Sequence, residues 1–340
     1  MTSVTTLGPE DEADVTKFLA GEPAALAYAS RPFVRLLRTL LGCEEQTLVA
    51  RDADGGVAGV LPLLSTEAPD GRRVHNSLPY YGSNGGVLAA DGTARDALVE
   101  EYDRIALDTA TLASTIVPNP FDAAAPPRYA HTHSDERIAQ YTPLAPDRDP
   151  LDDADSSARR NVAKAEREGI AVATEADALP RLHEIHRANI AALGGLPKDR
   201  RFFDLVPQHL EPGREYDVYV ARKDGAVVAG LLVLYFNTTV EYYTPAVEHE
   251  ARPLQPLAAI LARALRDAAA RGFTVWNWGA TWKTQEGVYR FKRKWGAEEM
   301  EYPYFTQVND ESLLRLGRDE ILQRFPGFFI VPFGALEAPG

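Results

Sequence analysis

The stretch VARDADGGVAGVLPLL, residues 49–64, returns as VARKDGAVVAGLLVLY, residues 220–235, in the same order and without a gap. The copies start 171 residues apart and share Val-Ala-Arg, then Ala-Gly, then alternate leucines. Each reads as a strand, a tight turn containing Asp and Gly, and a second apolar strand. The segments downstream of the two copies are also alike. In each half another strand-like segment (VHNSLPYY; TTVEYYTPA) leads into a helical one (ARDALVEEYDRIALDTA; PLQPLAAILARALRDAAARG). The pattern predicts one α/β domain present twice, at about 150 residues per copy.

A chain of 340 residues is long enough for two such cores. The segment 119–157, rich in Pro, Asp and Ala, reads as loop and linker, with RIAQYTPL as one possible strand. The expected division is 1–150 for the first domain, 151–306 for the second, and 307–340 for a Phe- and Ile-containing tail that packs back on a domain. The second copy opens with the helix SSARRNVAKAEREG. Ser156 or Ser157 is its expected N-cap and Gly169 its left-handed C-terminal stop. Arg160, Lys164 and Arg167 recur at i, i+4 and i+7, so they share one face.

Charge narrows the partners. With 49 Asp and Glu against 36 Lys and Arg, the net charge is −13, which opposes DNA binding over a broad face. Against that background GVYRFKRKWGAEE, residues 287–299, gathers Arg290, Lys292, Arg293 and Lys294 into five positions. Val288, Phe291 and Trp295 recur at three and four residues and are expected to form that helix's buried face, with Lys292 near the edge of the stripe. The N-terminus lacks a signal-peptide pattern and no apolar run reaches a membrane-spanning length, which reads as a cytoplasmic protein. The lone Cys43, beside LLRTLLG, is expected in a core. The close His pairs HTH (131–133) and HEIH (183–186) have no Cys or third ligand at metal-site spacing, so no metal is expected. No G-x-S-x-G, Walker loop or dinucleotide fingerprint occurs.

LPYYGSNGG (78–86), RRNVAKAEREGI (159–170) and WNWGAT (276–281) followed by GVYRFKRKWGAE (287–298) together resemble the FemAB-like family, the peptidoglycan-bridge peptidyltransferase branch of the double acetyltransferase-fold proteins. The resemblance covers roughly residues 45 to 305. It implies two tandem GNAT-like domains with mixed sheets flanked by helices, the first forming an acceptor cleft and the second carrying the catalytic motif. It implies transfer of an acyl or aminoacyl group to an amine of an anionic acceptor, such as a cell-envelope precursor, a polysaccharide or a secondary metabolite. The acceptor is then a small molecule or a nucleotide- or lipid-linked amine, and the co-substrate is aminoacyl-tRNA, met at its 3′ end, or acyl-CoA, with no tightly bound cofactor. Two alternatives are a CoA-dependent N-acetyltransferase with an atypical loop and a catalytically silent ligand-binding double domain.

Carried over from the family's Phe-Lys pair, Lys292 would stabilise the oxyanion of acyl transfer and Phe291 would stack on the donor's end. Arg290 and Arg293 are read as further donor contacts. Tyr80, Tyr81 and Asn84 in the glycine-rich turn, Arg160 and Lys164 on the basic helix, and Tyr242 are assigned to the acceptor, and Tyr243 is a candidate to carry the proton. The loop TPAVEHEARPLQP (244–256), where a CoA-dependent enzyme cradles pyrophosphate on glycine amides, has no glycine. Its Pro253 and Pro256 lack an N–H, and Glu248 and Glu250 would repel phosphate, which disfavours CoA in its usual pose. Trp276 and Trp278 fall on one strand face as a packed pair, with Asn277 on the other.

Overall fold

A computed structural model describes residues 2–80, 85–122, 127–282 and 285–336. The chain divides into two compact units, Met1–Ile138 with Glu301–Gly340, and Ala139–Met300. The crossings fall inside two strands, His133–Pro143 and Glu298–Val308, rather than at 150 and 306. The possible strand RIAQYTPL of the Pro- and Asp-rich segment 119–157 falls on the first of these, which starts earlier, at His133. The second crossing gives residues 301–308 to the first unit, where Phe305 pairs with Ile116 and Val308 with Ala113, antiparallel.

Both units follow one order of elements. In the first, strand Ser3–Thr6 precedes helices Glu12–Gly21 and Arg31–Leu41, then the hairpin Leu48–Arg51 and Val57–Leu61. In the second, strand Ala171–Thr174 precedes helices Leu179–Ala192 and Arg200–His209, then the hairpin Tyr216–Lys223 and Ala226–Phe236. Each unit then adds a strand, a helix and a parallel strand. These are Arg73–Asn76, Gly92–Ala106 and Thr111–Ile116 in the first, and Thr239–Val247, Pro256–Ala270 and Val275–Thr281 in the second.

The hairpin repeat persists to the level of side chains. A register shift falls between Ala50 and Arg51 and again between Ala221 and Arg222. Arg51 donates to the Gly55 carbonyl and Arg222 to the Gly225 carbonyl, each at 2.6 Å, so the same arginine ties down each turn. The second turn is Asp224-Gly225 with both φ values positive, the form that suits a two-residue hairpin. The units differ where Pro62 aligns with Val233. Proline has no N–H for the ladder, and the first unit's strand stops at Leu61 and resumes as Leu64–Glu67, pairing with different neighbours. In the second unit the strand continues through a bulge between Leu232 and Val233.

The core of the second unit lies between its sheet and helices Pro256–Ala270 and Ser156–Arg167. Alanines 258, 262 and 264 let the former approach the strands closely, with Leu261 and Leu265 filling the gaps. The tail packs on the first unit, where Ile321, Phe325, Ile330 and Val331 join Val74, Leu112 and Ala113 in one cluster, with Cys43 half-buried against it. No described helix is long and apolar enough to cross a membrane.

Candidate active site

The strand pair Thr239–Val247 and Val275–Thr281 frames the candidate site of the second unit. The two run parallel and pair only at Thr239 with Val275, Val240 with Trp276 and Glu241 with Asn277. Past Glu241 and Asn277 they part. Helix Pro256–Ala270 begins where the first strand ends, after the turn His249–Leu254 and a left-handed Gln255 (φ +60°). Gln255 thus takes a conformation that usually selects glycine.

A cavity of about 260 Å³ opens at this helix start. Val247, Arg252, Leu257, Phe291, Lys294 and Trp295 are among its lining residues, with Ala158 and Asn161 from the helix Ser156–Arg167. Two cations therefore stand at the first turn of a helix, where the macrodipole also favours an anion. Glu248, expected to repel phosphate, is held in an ion pair with Arg181. The backbone contributes less than in a glycine loop, because Pro253 and Pro256 have no N–H and the Ala258 N–H is bonded to the Gln255 carbonyl. Side chains are what this site offers to a phosphate.

Helix Glu286–Arg293 distributes the basic cluster in three directions. Phe291 is half-buried with its ring 6.2 Å from that of Trp278, and it walls the cavity. Arg290 is exposed and pairs with Glu286 one turn back, and the exposed Arg293 reaches the Ala297 carbonyl. Neither lines the cavity; Lys294, not assigned to the donor from sequence, does. The expected buried stripe also changes, because Val288 is 44 % exposed whereas Lys292 is 4 % exposed.

Lys292 points under the end of Val275–Thr281. Its ammonium donates to the carbonyls of Gly279 (3.2 Å) and Ala280 (3.3 Å) and to Thr281 Oγ1 (2.6 Å). The Thr281 hydroxyl donates to Gln140 Oε1 and the Gln140 amide to the Tyr289 carbonyl, so the cradle is tied back to the helix. The acceptors are neutral dipoles, and burial pushes the Lys292 pKa down to about 7.

Tyr242 and Tyr243 face opposite ways, as alternation requires. Tyr242, half-buried, packs against the core at Trp278 (4.9 Å) and Trp276 (6.4 Å). Trp276 and Trp278 form the packed pair, and Trp278 Nε1 donates to Thr142 Oγ1. Tyr243 lies against Phe202, with Lys198 Nζ 4.8 Å from its ring centre. Lys198, buried in the segment before helix Arg200–His209 and held by burial to a pKa of about 8, escaped the sequence reading because no pattern marks it.

The basic helix is capped by Asp155, whose carboxylate accepts the Ser157 N–H, instead of by Ser156 or Ser157. Asp155 carries charge as well as an acceptor, so it suits the positive helix end better. Gly169 ends the helix with φ +74°. Arg160 is exposed and bonds Ser156 Oγ; Lys164, one turn on, is half-buried. In the first unit Tyr80 is 8 % exposed, its N–H bonded to the Gly327 carbonyl, so it anchors the tail. Tyr81 and Asn84 lie outside the described residues. Gly85 is required by space, since a Cβ there would stand 2.4 Å from the Ser77 carbonyl oxygen. His183 and His186 pack against Phe203, and no group of His, Cys, Asp or Glu among the described residues is arranged to hold a metal ion.

Residues 154–293 match the family model described as acetyltransferase (GNAT) domain. No curated protein matches the chain. Among solved structures the chain is similar to FemX, at 15 % identity and TM-score 0.68, over 89 % of this chain and 97 % of that one. It is similar to the C-terminal domain (DUF2156) of a putative lysylphosphatidylglycerol synthetase from Agrobacterium fabrum, at 13 % identity and TM-score 0.57, over 95 % and 98 %. A tandem GNAT protein from the clavulanic acid biosynthesis pathway gives 16 % identity and TM-score 0.51, over 90 % and 98 %. Residues 154–293 thus match an acetyltransferase (GNAT) domain, and with a first unit of the same element order the chain has the fold of two GNAT-like units in tandem.

Proposed function

We propose that the protein transfers an acyl or aminoacyl group from a phosphate-bearing donor to an amine of an anionic acceptor, forming an amide. The observation that carries this reading is the cavity at the start of helix Pro256–Ala270, where Arg252 and Lys294 stand beside the apolar wall of Phe291 and Trp295. Two cations suit a phosphate and the aromatic wall suits the donor's organic part. Acyl-CoA is the donor the GNAT domain match favours, gripped by side chains in place of glycine amides. The 3′ end of an aminoacyl-tRNA offers the same chemistry and is the second donor to test.

In the reaction the amine nitrogen attacks the donor's carbonyl carbon, and the carbonyl electron pair moves to oxygen. Collapse of that adduct expels the CoA thiolate or the tRNA ribose oxygen, which takes up the proton lost by the amine. Lys292 meets the oxyanion by exchanging its longest contact, the 3.3 Å bond to Ala280, for the new charge. Tyr243 is the candidate to carry the proton away, and Arg160 and Lys164 are the candidates to hold the acceptor's anionic group. The acceptor belongs to cell-envelope or secondary-metabolite chemistry.

Incubation of the full chain with radiolabelled acetyl-CoA, or with alanyl-tRNA, and a panel of amino acids, amino sugars and their nucleotide-linked forms tests the reading. Label appearing in an amide bond supports it. Label lost only to water with every amine, or no consumption of either donor, refutes it.

A further inference from the structure

The fork between the two parallel strands is closed by side chains. At the last paired position Asn277 Nδ2 donates to Glu241 Oε2 at 2.8 Å, and both residues are completely buried. At its other end Asn277 Oδ1 accepts the backbone N–H of Gly279 at 2.9 Å. Gly279 has φ +73°, in the region that favours glycine, so the strand bends immediately beyond the fork. The next two carbonyls, of Gly279 and Ala280, are the ones that accept from Lys292 Nζ.

We infer that Asn277 is a positioning residue for Lys292: clasped to Glu241 at the fork, it sets the Gly279 bend whose carbonyls, with Thr281 Oγ1, hold the ammonium. The functional part of this inference rests on the proposed role of Lys292. The chemistry asks for an amide. One end must donate to a carboxylate and the other must accept from an N–H, and a side chain of this length does both only as asparagine. The buried Glu241 carboxylate, an acceptor, also fixes which way round the amide lies, so that Oδ1 faces Gly279. An aspartate would meet Glu241 with a second carboxyl group and lose the donor.

Four variants of the full chain, Asn277→Asp, Asn277→Ser, Glu241→Gln and Lys292→Met, are compared by two readouts. One is steady-state kinetics with acetyl-CoA and the amine that serves as acceptor. The other, independent of activity, is the pH midpoint of Lys292 labelling by trace acetic anhydride, read by peptide mass spectrometry. Asn277→Asp is expected to lower kcat at least tenfold with both KM values within about twofold, and to move the labelling midpoint. Glu241→Gln, whose amide oxygen still accepts from Asn277, is expected to keep most of the activity and the wild-type midpoint. If Asn277→Asp fails to fold, Asn277→Ser, neutral and too short to span both bonds, carries the same expectation.

An unchanged midpoint and kcat in the folded Asn277 variants overturns the inference. So does a Glu241→Gln variant as impaired as Asn277→Asp, because the charge of Glu241 and not the amide clasp would then be at work. Full activity in Lys292→Met with a shifted midpoint in Asn277→Asp would sink the role of Lys292 and leave the positioning intact.

Discussion

Lys292 Nζ stands 2.6 Å from Thr281 Oγ1, joining the helix of the basic cluster to the end of the strand that precedes it. The contact explains how a lysine is accommodated where apolar periodicity places an edge. All three ammonium hydrogens find acceptors, so the side chain is buried without an unmet donor.

Lys292→Met keeps an unbranched side chain of nearly the same volume and removes the charge. It is expected to lower kcat by about 10² or more with acceptor KM little changed, the range for losing one transition-state donor. Steady-state kinetics with acetyl-CoA at saturating amine checks it. Wild-type kcat in the folded variant would contradict the assignment.

The same residue gives stability a pH dependence of definite sign. Its folded pKa of about 7 lies below the value of about 10.4 for a free lysine. Between those values the unfolded chain holds a proton that the folded chain has released, so stability rises with pH across that window and is lowest below it. Urea unfolding at pH 6, 8 and 9.5 is expected to show the wild type gaining on Lys292→Met as pH rises. Lys198, lowered in the same direction, is present in both proteins and cancels. A constant difference would contradict the burial cost assigned to Lys292.

Arg290 and Arg160, both exposed, are expected to behave differently. Arg290 is tied to Glu286 and is not among the lining residues of the cavity beside Phe291, so Arg290→Ala should leave kcat and both KM values unchanged. Arg160→Ala should raise the acceptor KM roughly tenfold, about 1.4 kcal/mol of binding, with kcat preserved. Initial-rate measurements over a range of acceptor concentrations separate the two. The reverse pattern would move the acceptor site away from the basic helix.

Asn76 fastens the tail to the first unit. Its Oδ1 accepts the Phe329 N–H at 2.6 Å and its Nδ2 donates to the Phe329 carbonyl at 2.8 Å, in a buried setting. Asn76→Ala strands the Phe329 N–H, while the Phe329 carbonyl keeps the Thr115 hydroxyl, and is expected to cost about 1–3 kcal/mol. Limited proteolysis should then cut within 317–336 in the variant well before the wild type. Equal protection would show that Ile321, Phe325 and Ile330 hold the tail unaided.

The duplicated fold was legible because its signal is local. The Val-Ala-Arg strands, the Asp- and Gly-containing turns and the alternating leucines all lie within sixteen residues, and both arginines turned out to clamp their own turns. The site was less legible because its partners are distant. The Asn277 and Glu241 side chains meet across 36 positions, through a parallel register that a linear pattern does not reveal. Lys292 is buried because Gly279 turns two carbonyls toward it, an effect of backbone bend and not of helical period. The loop at 244–256 reads as hostile to phosphate for its lack of glycine, its prolines and the charges of Glu248 and Glu250; of these charges Glu248 is paired with Arg181, 67 residues earlier, a partner that local sequence does not reveal. With that charge paired, Arg252 and Lys294 set the sign of the cavity.

Donor binding in that cavity is the claim on which the account turns. Calorimetric titration of acetyl-CoA, and of an amide-linked aminoacyl analogue of the tRNA 3′ end, into the wild type and into Arg252→Ala/Lys294→Ala measures it directly. The account predicts that the wild type binds at least one of the two, and that the double variant binds it about 10²-fold more weakly, as expected for two lost charge-assisted contacts. Equal affinity in the double variant, or no binding of either compound to the wild type, would contradict it.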